Sequence, residues 1–131
     1  MKKNRLLNPK LLEAVATTGH TDTLVIGDCG LPLPRGVEVI DLSITAGLPR
    51  FMDVLKAIDT EFVVESAVVA SEIEEKNPSV WCEIQDEMQG KPIHFVSHEE
   101  LKRMSQSARY IIRTGETSPY ANIVLIGGVN F

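Results

Sequence analysis

The run Leu24-Val25-Ile26 is apolar without a break and is closed by Gly27-Asp28-Cys29-Gly30-Leu31-Pro32. A strand with one wet face alternates apolar and polar side chains, whereas a continuous apolar run suits a strand covered on both faces. Such a strand needs layers above and below it, so the rest of the chain must supply neighbouring strands and covering helices. The local patterns do so. Strands are expected at 23–27, 37–41, 62–70, 93–97, 109–114 and 122–127, where β-branched and aromatic residues gather between turn formers.

Helical signals fall between these runs. Asn8-Pro9 reads as an N-cap followed by proline at the first helical position. The helix it opens should bury Leu11, Leu12 and Val15 and end at Gly19. Pro49 opens a second helix with Phe51, Met52, Val54, Leu55 and Ile58 apolar. Ser71-Glu72-Ile73-Glu74 and Ser97-His98-Glu99-Glu100 both have capping-box spacing. Asn77-Pro78 restarts a helix between them. The alternation predicts an α/β fold with a mixed or mostly parallel sheet flanked by helices. A length of 131 residues fits one domain, 1–131, large enough to bury a core without metals or disulfides.

Charge narrows the partners. The net charge of −5 argues against a nucleic-acid or anionic-membrane surface, which would need clustered Lys and Arg. No apolar run approaches the roughly 18 residues of a membrane span, so no membrane insertion is expected. The basic start, Met1-Lys2-Lys3-Asn4-Arg5, lacks the apolar stretch of a signal peptide. Cys29 and Cys82 are lone cysteines, which fits a reducing compartment. No metal is expected, because His20, His94 and His98 include no pair at zinc spacing with a third clear ligand.

Several polar residues sit where chemistry is done. His20 lies between a helix and the first strand, and imidazole can both give and take a proton near neutral pH; an exposed loop histidine, or one capping the helix, is the competing reading. Asp28 ends that strand, and ligands of open α/β sheets bind outside the carboxyl ends of strands; it could equally be a turn aspartate bonding the following amides. His98 opens a helix with Lys102 one turn further on the same face, and a neutral histidine beside a lysine can polarise an oxygen. A solvated helix start, with Glu99 paired to Arg103, is the plainer possibility. Tyr120 and Asn122, two apart at a strand start, would share a face and offer donors and acceptors to hydroxyl groups, unless they are ordinary polar groups at a strand edge. Gly127-Gly128 lacks the Lys-Ser/Thr of a phosphate loop, and Glu65, Glu72 and their acidic neighbours read as solvated faces.

The sequence also resembles a known family along nearly its whole length. The motifs are Leu6-Leu7-Asn8-Pro9, Gly-His-Thr-Asp at 19–22, Gly-Asp-Cys-Gly-Leu-Pro-Leu-Pro at 27–34, Ile-Asp-Leu at 40–42, Gly-Leu-Pro-Arg-Phe-Met-Asp at 47–53 and Arg-Thr-Gly-Glu-Thr-Ser-Pro-Tyr-Ala-Asn at 113–122. Together they are similar to the ribose pyranase and fucose mutarotase family. The resemblance implies interconversion of the β-pyranose and β-furanose forms of D-ribose without a cofactor. It puts the catalytic histidine at His20 and the sugar-binding positions at Asp28, His98, Tyr120 and Asn122, with Lys102 as a further candidate. It also implies a cytoplasmic, ring-shaped homo-oligomer, a decamer. A fucose-type mutarotase and a non-catalytic sugar-binding module of ribose transport are the alternatives.

Geometry raises a difficulty. His20 precedes the first strand and Asp28 follows it, and five strand residues span roughly 17 Å at about 3.3 Å each. Tyr120 and Asn122 also start a strand, while Asp28 and His98 end theirs. In a parallel sheet the two groups would lie at opposite edges. Either the segment 19–22 folds back, or neighbouring chains share the site, with the 120–122 segment reaching into the next subunit.

Overall fold

The computed structural model describes residues 1–131. Its elements in chain order are α1 (Pro9–Thr17), β1 (Thr23–Gly27), β2 (Glu38–Asp41), α2 (Phe51–Asp59), β3 (Val64–Ala70), α3 (Ile73–Lys76), α4 (Pro78–Glu87), β4 (Ile93–Val96), α5 (His98–Ser105), β5 (Tyr110–Arg113) and β6 (Ile123–Gly127). All six strands form one sheet in the order β2-β5-β1-β6-β3-β4. Pairing is parallel between β1 and β5, β2 and β5, and β3 and β4; β6 runs antiparallel to both β1 and β3. The sheet is therefore mixed, with β6 the one reversed strand.

Alternation along β1 divides the interior. Leu24 and Ile26 join a core with Leu11 and Ala14 of α1, Phe51, Leu55 and Ile58 of α2, and Val80 and Ile84 of α4. Val25 points the other way, into a smaller core with Leu101 of α5, Ile111 and Val124. All three β1 residues are fully buried, so both faces are covered, as the apolar run required. Each such side chain contributes about 1.5–3 kcal/mol relative to exposure.

Local signals hold in some places and give way in others. Asn8 caps α1 by accepting the Lys10 and Leu11 N–H groups at 2.9 and 3.1 Å. Ser97 accepts the Glu100 N–H at 3.1 Å. Helix α2 starts at Phe51, later than Pro49 suggested, because Asp53 accepts the Arg50 N–H and fixes the entry there. The Ser71 capping box does not form: Glu72 is the N-cap of α3, and the Ser71 hydroxyl bonds the Glu72 carboxylate instead. Helix α1 ends at Thr17 with Thr18 extended, so Gly19 is not a left-handed cap. It begins a tight turn, in which Thr21 takes a positive φ of 69° and the Asp22 carboxylate accepts the Gly19 N–H.

The largest correction concerns the 120–122 segment. It precedes β6 rather than belonging to it, and Tyr120 has a left-handed φ of 56°. The expected strand alternation therefore does not apply. Because β6 is reversed, its start lies beside the end of β1. The expected separation of Tyr120 and Asn122 from Asp28 is overturned.

Candidate active site

At the carboxyl ends of β1 and β5, loop residues converge. Gly27 has no side chain, and a Cβ there would come within 3.1 Å of the Asn122 Oδ1. Asn122, fully buried, uses that space. Its Oδ1 accepts the Asp28 backbone N–H at 2.9 Å, and its Nδ2 donates to Asp28 Oδ2 at 3.0 Å. The other Asp28 oxygen accepts the Gly30 N–H at 2.9 Å. The turn reading of Asp28 therefore holds, and Asn122 fixes the second carboxylate oxygen. The picture of Asn122 as a surface strand-edge group fails, because its amide is enclosed and committed to Asp28.

Tyr120 meets His98 across the same corner. Their rings are 5.1 Å apart and nearly perpendicular, an edge-to-face contact. His98 Nδ1 is buried without a hydrogen-bond partner, the one such side-chain atom in the chain. Native interiors rarely leave a polar atom unpaired, so this one calls for a specific reason. Glu72 steadies the backbone of His98: both carboxylate oxygens accept its N–H, at 3.2 and 3.0 Å. Burial pushes the Glu72 carboxyl up, but the His98 N–H and the Ser71 hydroxyl outweigh it and hold it below the ordinary value. Lys102 lies a turn further along α5 and pairs with Glu99 at 2.7 Å, while Arg103 pairs with Glu100, so the expected Glu99–Arg103 pair is replaced. Lys102 lines an open cleft of about 330 Å³ with Pro32, Leu33, Pro34 and Ser105.

A polar scaffold beneath this corner went unread in the sequence. Glu116 accepts the Phe51 N–H at the start of α2 at 3.0 Å, and its second oxygen accepts the Ser118 hydroxyl at 2.9 Å and the Ser118 N–H at 3.2 Å. Burial works to raise the Glu116 carboxyl; these donors overcome it and lower it. Asn77, also buried, donates to Ser118 Oγ at 2.9 Å and to the Pro119 carbonyl at 2.8 Å. Asn77 was legible only as a helix cap, and Glu116 only as part of a polar loop. The scaffold holds the strained backbone of Tyr120.

His20 lies elsewhere. Its turn is tied to the far end of β6, where the Thr21 N–H bonds the Gly127 carbonyl at 2.9 Å. Its Nε2 is 3.1 Å from Glu65 Oε1, so it does not cap α1. The structure therefore brings Asp28, His98, Tyr120 and Asn122 to one edge of the sheet with Lys102 nearby, and puts His20 at the opposite edge. No three His, Cys, Asp or Glu side chains form a group that could hold a metal ion, and no helix is long and apolar enough to cross a membrane.

A one-domain α/β sheet with a carboxylate, an imidazole and a phenol gathered at strand ends defines a small-ligand protein, and the chain belongs to the RbsD / FucU transport protein family, which it matches over residues 1–130. It is 52% identical to the D-ribose pyranase of Geobacillus thermodenitrificans, covering 100% of this chain and 99% of that one. It is 50% identical to the D-ribose pyranase of Laribacter hongkongensis over the whole of both chains. Among solved structures, Bacillus subtilis RbsD complexed with D-ribose superposes with a TM-score of 0.96 at 43% identity over the full length of both. The fucose mutarotase of Streptococcus pneumoniae in complex with L-fucose gives 0.82 at 26% identity, covering 95% of this chain and 94% of that one.

Proposed function

We propose that this chain is a sugar isomerase that interconverts the β-pyranose and β-furanose forms of D-ribose without a cofactor. The observation that carries the reading is identity at about half of all positions, end to end, with proteins named D-ribose pyranase. The likeness to a fucose mutarotase supports a second sugar class, but at half that identity.

The chemistry fits the residues at hand. To open the pyranose, the bond from C1 to the ring oxygen breaks. A proton passes from His20 to that oxygen, and the anomeric hydroxyl loses its own proton to water. The open aldehyde then recloses through the C4 hydroxyl, which returns a proton to His20 while the carbonyl oxygen regains one from water. General acid–base help of this kind contributes about 10²–10⁴-fold. Asp28, held by Asn122, accepts sugar hydroxyls, and His98, Lys102 and Tyr120 offer further polar contacts.

His20 cannot reach Asp28 within one chain, because all of β1 lies between them, roughly 17 Å at about 3.3 Å per residue. We therefore read the active unit as a homo-oligomer, a decameric ring by resemblance, with His20 supplied by a neighbour to the Asp28–Tyr120 edge. This reverses the sequence-based expectation of the 120–122 segment as the reaching part, since Asn122 is tied to Asp28 of its own chain and the preceding Ser118 and Pro119 to Asn77 and Glu116. A cytoplasmic setting goes with the family resemblance.

Saturation-transfer NMR on D-ribose tests the reading directly. The protein should accelerate pyranose–furanose exchange at substoichiometric amounts. Binding of ribose by calorimetry without faster exchange would instead make it a non-catalytic sugar-binding module.

A further inference from the structure

Glu65 sits at an irregularity in β3. Val64 pairs with Gly127 and Ser66 with Ile126, so Glu65 has no partner across the ladder. Bulges of this kind re-aim a side chain, often beside active sites. Here the re-aimed carboxylate meets His20, with Oε1 3.1 Å from Nε2. The contact crosses the end of β6, which lies between β1 and β3.

Two glycines make that crossing possible. A Cβ on Gly127 would come within 2.4 Å of the Gly19 carbonyl oxygen, directly under the turn that carries His20. A Cβ on Gly128 would stand 3.3 Å from the Glu65 Cβ. Any larger residue at these positions would press the two apart. The pair itself is half-exposed, with 50% and 51% of the two side chains open to solvent. An exposed ion pair contributes only about 0–1 kcal/mol. A bulge and a bare glycine floor are thus arranged around a contact that adds little to stability, which points to orientation as its use.

We propose that Glu65 is the positioning residue of His20. The inference rests on the proton-transfer role proposed for that histidine. A carboxylate only accepts, so the ring nitrogen facing it, Nε2, carries the hydrogen. The hydrogen bond made by one ring nitrogen decides the state of the other. Nδ1 is then the atom that exchanges protons with the sugar: it delivers one to the ring oxygen as the bond to C1 breaks and takes one from the C4 hydroxyl on reclosure. Glu65 accepts the Nε2 hydrogen and fixes the plane of the ring, as carboxylates behind catalytic histidines do.

The test compares Glu65→Gln, Glu65→Ala and Glu65→Asp with His20→Ala in the assembled protein. Ribose exchange is followed by saturation-transfer NMR, ribose affinity by calorimetry, and the histidine rings by ¹⁵N NMR. Expected are a parent His20 ring in which Nε2 keeps its hydrogen while Nδ1 alone gains and loses one, a hydrogen shared between both ring nitrogens in Glu65→Gln, and a kcat reduced roughly 10- to 100-fold, as when an orienting partner of a functional histidine is lost. Ribose affinity should stay within about twofold, well under the tenfold that 1.4 kcal/mol would produce, and Glu65→Asp should recover part of the rate. Parent-like kcat and tautomer in Glu65→Gln, with His20→Ala inactive, would overturn the role of Glu65 and leave the isomerase standing. So would a loss of affinity as large as the loss of rate, which marks a merely structural contact. An active His20→Ala would remove the histidine from the reaction, and the inference with it.

Discussion

Asn122 and Asp28 hold each other in both senses: the asparagine oxygen accepts the aspartate's backbone N–H at 2.9 Å, and the asparagine nitrogen donates to the aspartate's side chain at 3.0 Å. One residue directly precedes the reversed strand β6 and the other directly follows β1, so the pair exists only because those strands run antiparallel. It converts a flexible turn carboxylate into a fixed acceptor.

Replacing Asn122 with alanine should therefore damage both fold and site. A buried polar group left without its partner costs about 1–3 kcal/mol. Denaturant unfolding should show a loss in that range, and calorimetry should show ribose affinity falling by about tenfold or more, the equivalent of 1.4 kcal/mol or above.

His20 is half-exposed, so His20→Ala should fold like the parent while losing exchange activity. The arrangement across the sheet adds a sharper expectation. When inactive His20→Ala and inactive Tyr120→Ala chains are mixed and reassembled, some interfaces combine an intact His20 with an intact Tyr120. Saturation transfer should recover a fraction of the parent activity; a mixture as dead as its components would argue for a site within one chain.

Asn77→Ala removes a helix cap and two hydrogen bonds to the 118–119 loop at once. The cap alone is worth about 0.5–2 kcal/mol. The midpoint of thermal unfolding should fall, and KM for ribose should rise more than kcat drops, because Tyr120 loses its support while His20 at the other edge is untouched.

Acid should loosen the same loop. Glu116 has its folded value lowered from an ordinary 4.5, burial being outweighed by the Phe51 and Ser118 donors. A carboxylate lowered in the folded state contributes stability above its unfolded value and loses it as the pH falls through the folded one. Stability should thus hold at neutral pH and decline below about pH 4.5, and Glu116→Gln should flatten that decline in unfolding curves taken across the range.

Much of this protein follows from local pattern. The buried run at 24–26, the Asn8 and Ser97 caps and the turn-bounded Val/Ile runs settle strands and helices near where they occur, because propensity and capping act over a few residues. The motif at 113–122 likewise marks a polar cluster in the sequence. Nothing local dictates strand direction, since β6 has the composition of any covered strand. Its reversal comes from how the whole sheet packs, and that alone brings Tyr120 and Asn122 beside Asp28 and leaves His20 at the far edge. The same holds for Glu65, which reads as a solvated acid, and Glu116, which reads only as part of a loop, until the fold sets a histidine, a helix start and a serine against them. Long-range pairing decided these contacts, and it is long-range pairing that the linear order of residues does not display.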